Sequence, residues 1–210
     1  MSERFEDRLV MGLDSALRTF ARVRRSEAQY PGAQHDEADL DDQQRRHAAG
    51  LMRVNHAGEV CAQALYRGQS LAARSPEVRE TLHEAALEEE AHLAWCEQRL
   101  DELGSRPSVL NPIWFGASFA IGAVTGMLGD RLSLGFVAAT EEKVGEHLAR
   151  HREALPAEDE RSAAVVEAMQ VDEARHGETA LSAGGETLPQ PVRDVMARVA
   201  RLMTWSSYRM

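Results

Sequence analysis

The sequence predicts an all-α chain built on a four-helix bundle, and three observations carry that prediction. Ala, Leu, Glu and Arg dominate the 210 residues, whereas Val, Thr and aromatic residues are sparse, a balance that favours helices over a large sheet. Two Glu-x-x-His pairs lie on apolar helical stripes. Each is preceded by a further glutamate at nearly the same interval, with a proline close to the midpoint, so the chain reads as two helical hairpins. With 43% hydrophobic residues, the length suffices for one substantial core.

Taken in order, residues 4–25 set Phe5, Leu9, Leu13, Leu17 and Phe20 on one stripe ringed by arginines, which predicts an amphipathic helix. The polar stretch from Ala28, with its Tyr-Pro-Gly, reads as a linker, so residues 1–40 form an N-terminal helix and linker ahead of a main domain at 41–210. A helix at 43–72 follows. Ser75-Pro76 then supplies an N-cap and a first-turn proline for a helix ending near Gly104. No Asp, Glu, Lys or Arg occurs from Pro107 to Gly129. A spanning helix needs about 20 apolar residues, but Asn111-Pro112 and several glycines interrupt this run. An interfacial or re-entrant crossover element at 107–129 is therefore expected rather than a span. Helices at 132–153, 158–182 and 190–208 complete the chain, the last amphipathic, with Val192, Val195, Val199 and Leu202 beside Arg193, Arg198 and Arg201. Such helices, with the uncharged run, predict attachment to a membrane surface.

Charge and cysteine content narrow the function. A net charge of -10 argues against nucleic-acid binding, which needs clustered cations to displace counterions. The two cysteines, Cys61 and Cys96, form neither a disulfide framework nor a zinc ribbon, and they read as small core residues in a reducing compartment. The N-terminus lacks the apolar core of a signal peptide, so a cytoplasmic location is expected.

The chemistry rests on spacing. Glu80 and His83 also form a Glu-x-x-His pair, so the pattern alone proves little. At about 100° per residue, His83 and His92 face opposite ways. Glu89 and His92 share a stripe with Leu82, Ala86, Leu93, Cys96 and Leu100, and Glu173 and His176 share one with Val165, Val166, Met169 and Ala180. Buried carboxylates and imidazoles must be paired, protonated or metal-bound. Thirty residues separate Glu59 from Glu89 and thirty-two separate Glu141 from Glu173, so folding each hairpin at Pro76 or Pro156 brings the members level. Glu141 is preferred to Glu142 because Leu134, Val137, Val144 and Leu148 surround it at helical spacing. Four glutamates and two histidines from four helices form the ligand set of ferritin-like di-iron and di-manganese carboxylate bundles. Two divalent ions would balance the four carboxylates. His56 and Asn55 are candidates to orient ligands or to satisfy local polar groups, and Tyr66 is a pocket wall or a core residue.

RVNHAGEVCAQALYRGQ at 53–69, EEEAHLAWCEQRL at 88–100, ATEEKVGEHL at 139–148 and DEARHGETAL at 172–181 closely resemble the demethoxyubiquinone hydroxylase family, from about residue 41 to the C-terminus. The resemblance implies a monooxygenase that hydroxylates the ring of a polyprenyl demethoxyubiquinol during ubiquinone synthesis. It places two iron ions on Glu59, Glu89, His92, Glu141, Glu173 and His176, with Glu89 and Glu173 bridging. Dioxygen is then the co-substrate and an external reductant such as NADH the electron source, although no GxGxxG follows a strand here. His147 falls on a family histidine near the iron, while Leu148 stands where some relatives carry tyrosine. The resemblance is compatible with a homo-oligomer or a partner protein of the same pathway, at the cytoplasmic face of the cell membrane. The apolar segment from Ile113 to Leu128 offers a path for the prenyl tail. A ferritin-like iron-binding protein is the alternative reading.

Overall fold

The computed structural model describes residues 28–210, and the amphipathic helix expected over residues 4–25 lies outside them. Six α-helices follow one another: α1 Asp42–Ala72, α2 Pro76–Glu102, α3 Asn111–Leu128, α4 Asp130–Ala154, α5 Glu160–Ser182 and α6 Gln190–Arg209. Each major boundary has a local cause. The Asp41 carboxylate accepts from the Gln43 and Gln44 amides, and the Gln44 side chain accepts from the Asp41 amide, which closes a capping box on α1. Ser75 caps α2 with Pro76 in its first turn, and Asp159 caps α5 through the Ser162 amide.

Helices α1 and α2 form one hairpin and α4 and α5 the other, and the two pack through α2 against α5 and α1 against α4. The Asp130 carboxylate accepts from the Arg74 and Ser75 amides, so the first residue of α4 fixes the turn of the first hairpin. Two larger apolar clusters lie along the bundle, and a smaller third, of Val60, Ala64, Leu93 and Phe115, joins α3 to α1 and α2. One of the larger two holds Met52, Cys96, Leu100, Leu148, Val165 and Met169. The other holds Leu65, Tyr66, Leu82, Leu134, Val137 and Ala180. On α1, α2, α4 and α5 the gap between the two larger clusters falls at the predicted ligand positions, which leaves a polar layer between them.

The uncharged run forms one continuous helix, α3, laid along α1, in place of an interrupted or re-entrant element. Asn111-Pro112 starts this helix rather than breaking it, since a proline in the first turn costs no intrahelical hydrogen bond. The approach of α3 to α1 is close enough to require glycine. A Cβ at Gly122 would collide with the Leu65 carbonyl, and one at Gly68 with the Phe119 carbonyl. No helix among the described residues is long and apolar enough to cross a membrane.

The stretch expected as a linker is docked on the bundle. Tyr30 and Leu40 are buried, and a 3-10 turn spans Pro31–Gln34. The cause is Arg99, fully buried on α2, whose guanidinium takes Glu37 from this stretch as a bidentate partner at 2.7 and 3.0 Å. Tyr30 adds a hydrogen bond to Glu102.

Candidate metal centre

Helix α1 carries Glu59 into the polar layer, α2 carries Glu89 and His92, α4 carries Glu141, and α5 carries Glu173 and His176. All six are buried. They form two groups, Glu59, Glu89, His92 and Glu173 on one side and Glu89, Glu141, Glu173 and His176 on the other, and in each group a ligand atom from every member lies within 4.8 Å of the rest. Glu89 and Glu173 belong to both groups, the position a bridging carboxylate requires. His92 Nδ1 lies 3.0 Å from Glu89, 3.3 Å from Glu173 and 3.6 Å from Glu59. His176 Nδ1 lies 3.4 Å from Glu89 and 3.8 Å from Glu173.

Protein partners alone do not satisfy this layer. Both oxygens of Glu141 and of Glu173, and one each of Glu59 and Glu89, are buried without a hydrogen-bond partner. Buried acceptors left this way cost several kcal/mol unless something neutralises them. Burial drives the Glu59 and Glu141 carboxyls well above the usual carboxylate range, and the charges of Glu173 and the other carboxylates add to it. Burial would lower His176, but Glu173, Glu89 and Glu88 outweigh it and hold the imidazole at about 10. For His92 the same opposition again ends in a strong upward shift, with Glu89 and Asp172 prevailing over burial. Oxygen and imidazole donors, concentrated negative charge and unpartnered oxygens together fit a pair of divalent cations of the first transition row.

Predicted ligands and observed neighbours coincide, and the residues set aside fall outside. Glu80 and His83 are exposed, and Glu142 is exposed and paired with Arg193. His56, buried, bonds Glu97 at 3.3 Å and Asn111 at 3.1 Å, which ties α1 to α2 and α3. Asn55 accepts from His151 at 2.6 Å. The His147 ring packs 3.9 Å from that of His151, and burial pushes the two imidazoles down to about 4 and about 3 respectively. Tyr66 and Cys96 are core residues, while Cys61 is half-buried.

Two residues that spacing does not single out complete the layer. His92 Nε2 contacts the Asp172 carboxylate at 3.1 Å, and His176 Nε2 contacts Glu88 at 2.6 Å. Each acid sits on the opposite helix from the histidine it serves, and Arg175 joins them, 2.8 Å from both. An acid at Nε2 holds each ring in place with Nδ1 facing the centre. The signal was present in sequence as an acid immediately before each Glu-x-x-His, Glu88 before Glu89 and Asp172 before Glu173. Asp172→Ala should weaken metal binding about 10- to 100-fold. Asp172→Asn, which keeps an acceptor oxygen, should recover part of it. Competition with a chromophoric chelator measures both, and an unchanged affinity in Asp172→Ala would remove this role.

Fold and site together define a ferritin-like bundle whose buried carboxylate–histidine groups could hold metal ions. The solved bacterioferritin-related protein from Bacteroides fragilis, described as a dodecameric thioferritin, shares the fold at a TM-score of 0.55 and 16% identity, over 78% of this chain and 90% of that one. The family model for the ubiquinone biosynthesis protein COQ7 matches residues 46–207, and the chain belongs to that family. Relatives named 3-demethoxyubiquinol 3-hydroxylase include proteins from Pseudomonas putida (strain GB-1), 54% identical over 97% of this chain and 95% of the relative, and Ralstonia pickettii (strain 12J), 54% identical over 97% and 99%.

Proposed function

We propose that this chain is a 3-demethoxyubiquinol 3-hydroxylase, a monooxygenase acting on the ring of a polyprenyl quinol in ubiquinone biosynthesis. The observation that carries the reading is the six-residue centre, found in a chain that matches relatives of that name over nearly their full length. Glu59, Glu89, His92, Glu141, Glu173 and His176 would hold two iron ions, with Glu89 and Glu173 shared. Those irons, once reduced, supply the electron transfer to dioxygen that the protein's own side chains cannot perform.

The overall change places one atom of dioxygen in a ring C–H bond and releases the other as water, consuming two electrons and two protons. The electrons come from an external donor, NADH or a protein that it reduces. Asp172 and Glu88 orient the two imidazoles through Nε2, and Arg175 restrains both acids. Apolar clusters lie above and below the polar layer and cover it along the bundle axis. His56 supports the site indirectly, because its bonds to Glu97 and Asn111 fix the start of α3 beside the segment of α1 that carries Glu59. His147 contributes a neutral ring packed on His151, with Nε2 buried and unpartnered.

The location that fits this substrate is peripheral attachment to the cytoplasmic face of the cell membrane. Helix α6 exposes Val195, Val199, Leu202 and Trp205, and α3 exposes Ile113, Val124, Met127 and Leu128, with no charged residue on α3. Arg198 and Arg201 beside the α6 stripe suit anionic lipid.

The test is conversion of a demethoxyquinol by the iron-loaded protein under dioxygen with a chemical reductant, read by mass spectrometry, alongside sedimentation with anionic vesicles. A product one oxygen atom heavier supports the hydroxylase. Iron oxidation without product, with reduction and quinol binding confirmed, moves the assignment to a ferritin-like iron-binding protein. Failure to sediment with vesicles, with self-association in their place, gives the apolar faces to a homo-oligomer.

A further inference from the structure

A cavity of about 510 Å3 opens between α4 and α5, and Glu141 and Glu173 of the centre stand in its wall. A larger cavity, about 650 Å3 beside Arg45, Arg46 and Arg53 at the start of α1, includes none of the six metal-centre residues. We propose that the cleft between α4 and α5 receives the aromatic head group of the quinol, and that Gly145 and Gly177 set its width. This rests on the hydroxylase reading and adds to it where the ring binds.

Four features support the assignment. The volume lies within the roughly 300 to 1,000 Å3 of small-molecule sites. Glu141 and Glu173 both stand in the cleft's wall, so a ring lodged there would lie against two residues of the centre. Small residues, Ala138 and Gly145 on α4 and Ala174 and Gly177 on α5, line it together with the longer Glu142, Glu146, Gln170 and Glu178. Their smallness is not a packing requirement at Gly145, where a Cβ would meet nothing within 4 Å, and at Gly177 the nearest atom would be Glu141 Cβ at an ordinary 3.4 Å. Glycine inside a helix is less favourable than alanine. Helix α4 therefore carries a destabilising residue whose one visible consequence is open space beside Glu141.

The rim suits a ring that trails a hydrocarbon tail. Leu181 and Leu188 line it, and the Arg193–Glu142 ion pair, 2.8 Å, ties the first turn of α6 to α4 at its edge. The exposed stripe of α6 starts beside this pair at Val192 and continues through Val195 and Val199. A tail leaving the cleft would thus meet apolar surface at once.

Gly145→Phe tests the proposal, since a Cβ there meets nothing within 4 Å and the ring beyond it would occupy the cleft. The iron-loaded, reduced protein is titrated anaerobically with a methoxy-methyl-benzoquinol bearing a single prenyl unit, and iron per chain and melting temperature are measured in parallel. The expected result is binding weakened at least about tenfold with iron content unchanged, while Gly145→Ala binds close to wild type. Wild-type affinity in Gly145→Phe with its iron intact overturns the assignment. Should phenylalanine lower the iron content, Ala174→Leu on the opposite wall is judged by the same two criteria. Wild-type protein that neither binds nor hydroxylates the quinol rejects the hydroxylase reading instead, so the two failures are distinguishable.

Discussion

Glu173→Ala is expected to abolish two-metal loading and to lower quinol hydroxylation by more than about 100-fold, the upper end of what loss of a mere supporting partner costs. Glu173 lies in both candidate ligand groups, so its removal takes a donor from each of them at once. Its carboxylate also stands 3.3 Å from His92 Nδ1 and 3.8 Å from His176 Nδ1, so both imidazoles lose an acidic neighbour. Elemental analysis of protein reconstituted with ferrous iron gives the stoichiometry, and Glu80→Ala, an exposed Glu-x-x-His pair on the same helix as Glu89, is the control expected to match wild type. Full metal occupancy in Glu173→Ala would refute the shared-carboxylate arrangement.

The second large effect is structural. Arg99 is fully buried and contacts Asp159 at 2.9 Å, Glu37 at 2.7 Å, Glu102 at 2.9 Å and Ser162 at 2.8 Å. One guanidinium thus joins α2, the cap of α5 and the stretch that precedes α1. Arg99→Leu leaves the Asp159 carboxylate buried without its cation, and breaking a buried pair from one side costs about 3–5 kcal/mol. Denaturant unfolding should show that loss. The double variant Arg99→Leu with Asp159→Asn removes the stranded charge and should regain a large part of it, with the coupling read from the double-mutant cycle. A loss below about 1 kcal/mol in the single variant would place Arg99 with ordinary surface pairs.

Most of the bundle was legible because its signals are local. Ser75-Pro76, the apolar stripes and the uncharged run fix the starts and faces of helices to within a few residues. The six centre residues were legible for a related reason, since a 3.6-residue period and a proline at each midpoint convert sequence intervals into a common height. What stayed hidden depends on relations between helices. That Asp172 serves His92 on α2 and Glu88 serves His176 on α5 follows from the packing of two hairpins, which no single-helix pattern encodes. The docking of residues 30–40 was masked by their polarity. The counterpart signal lay on α2, where Arg99 stands seven residues after His92 and so shares its buried face. The course of α3 depends on Gly68 and Gly122 meeting; in sequence Gly122 reads only as an interruption of an apolar run, and Gly68 lies on another helix.

The claim that the polar layer houses an oxygen-activating centre is tested most directly by a single turnover in heavy-isotope dioxygen. Iron-loaded protein is reduced, mixed with demethoxyquinol and exposed to the labelled gas in ordinary water. The account predicts one labelled oxygen in the new ring hydroxyl, in an amount that tracks bound iron and disappears in Glu173→Ala. A hydroxylated product carrying only solvent oxygen, or label incorporated equally by the iron-free variant, would contradict it.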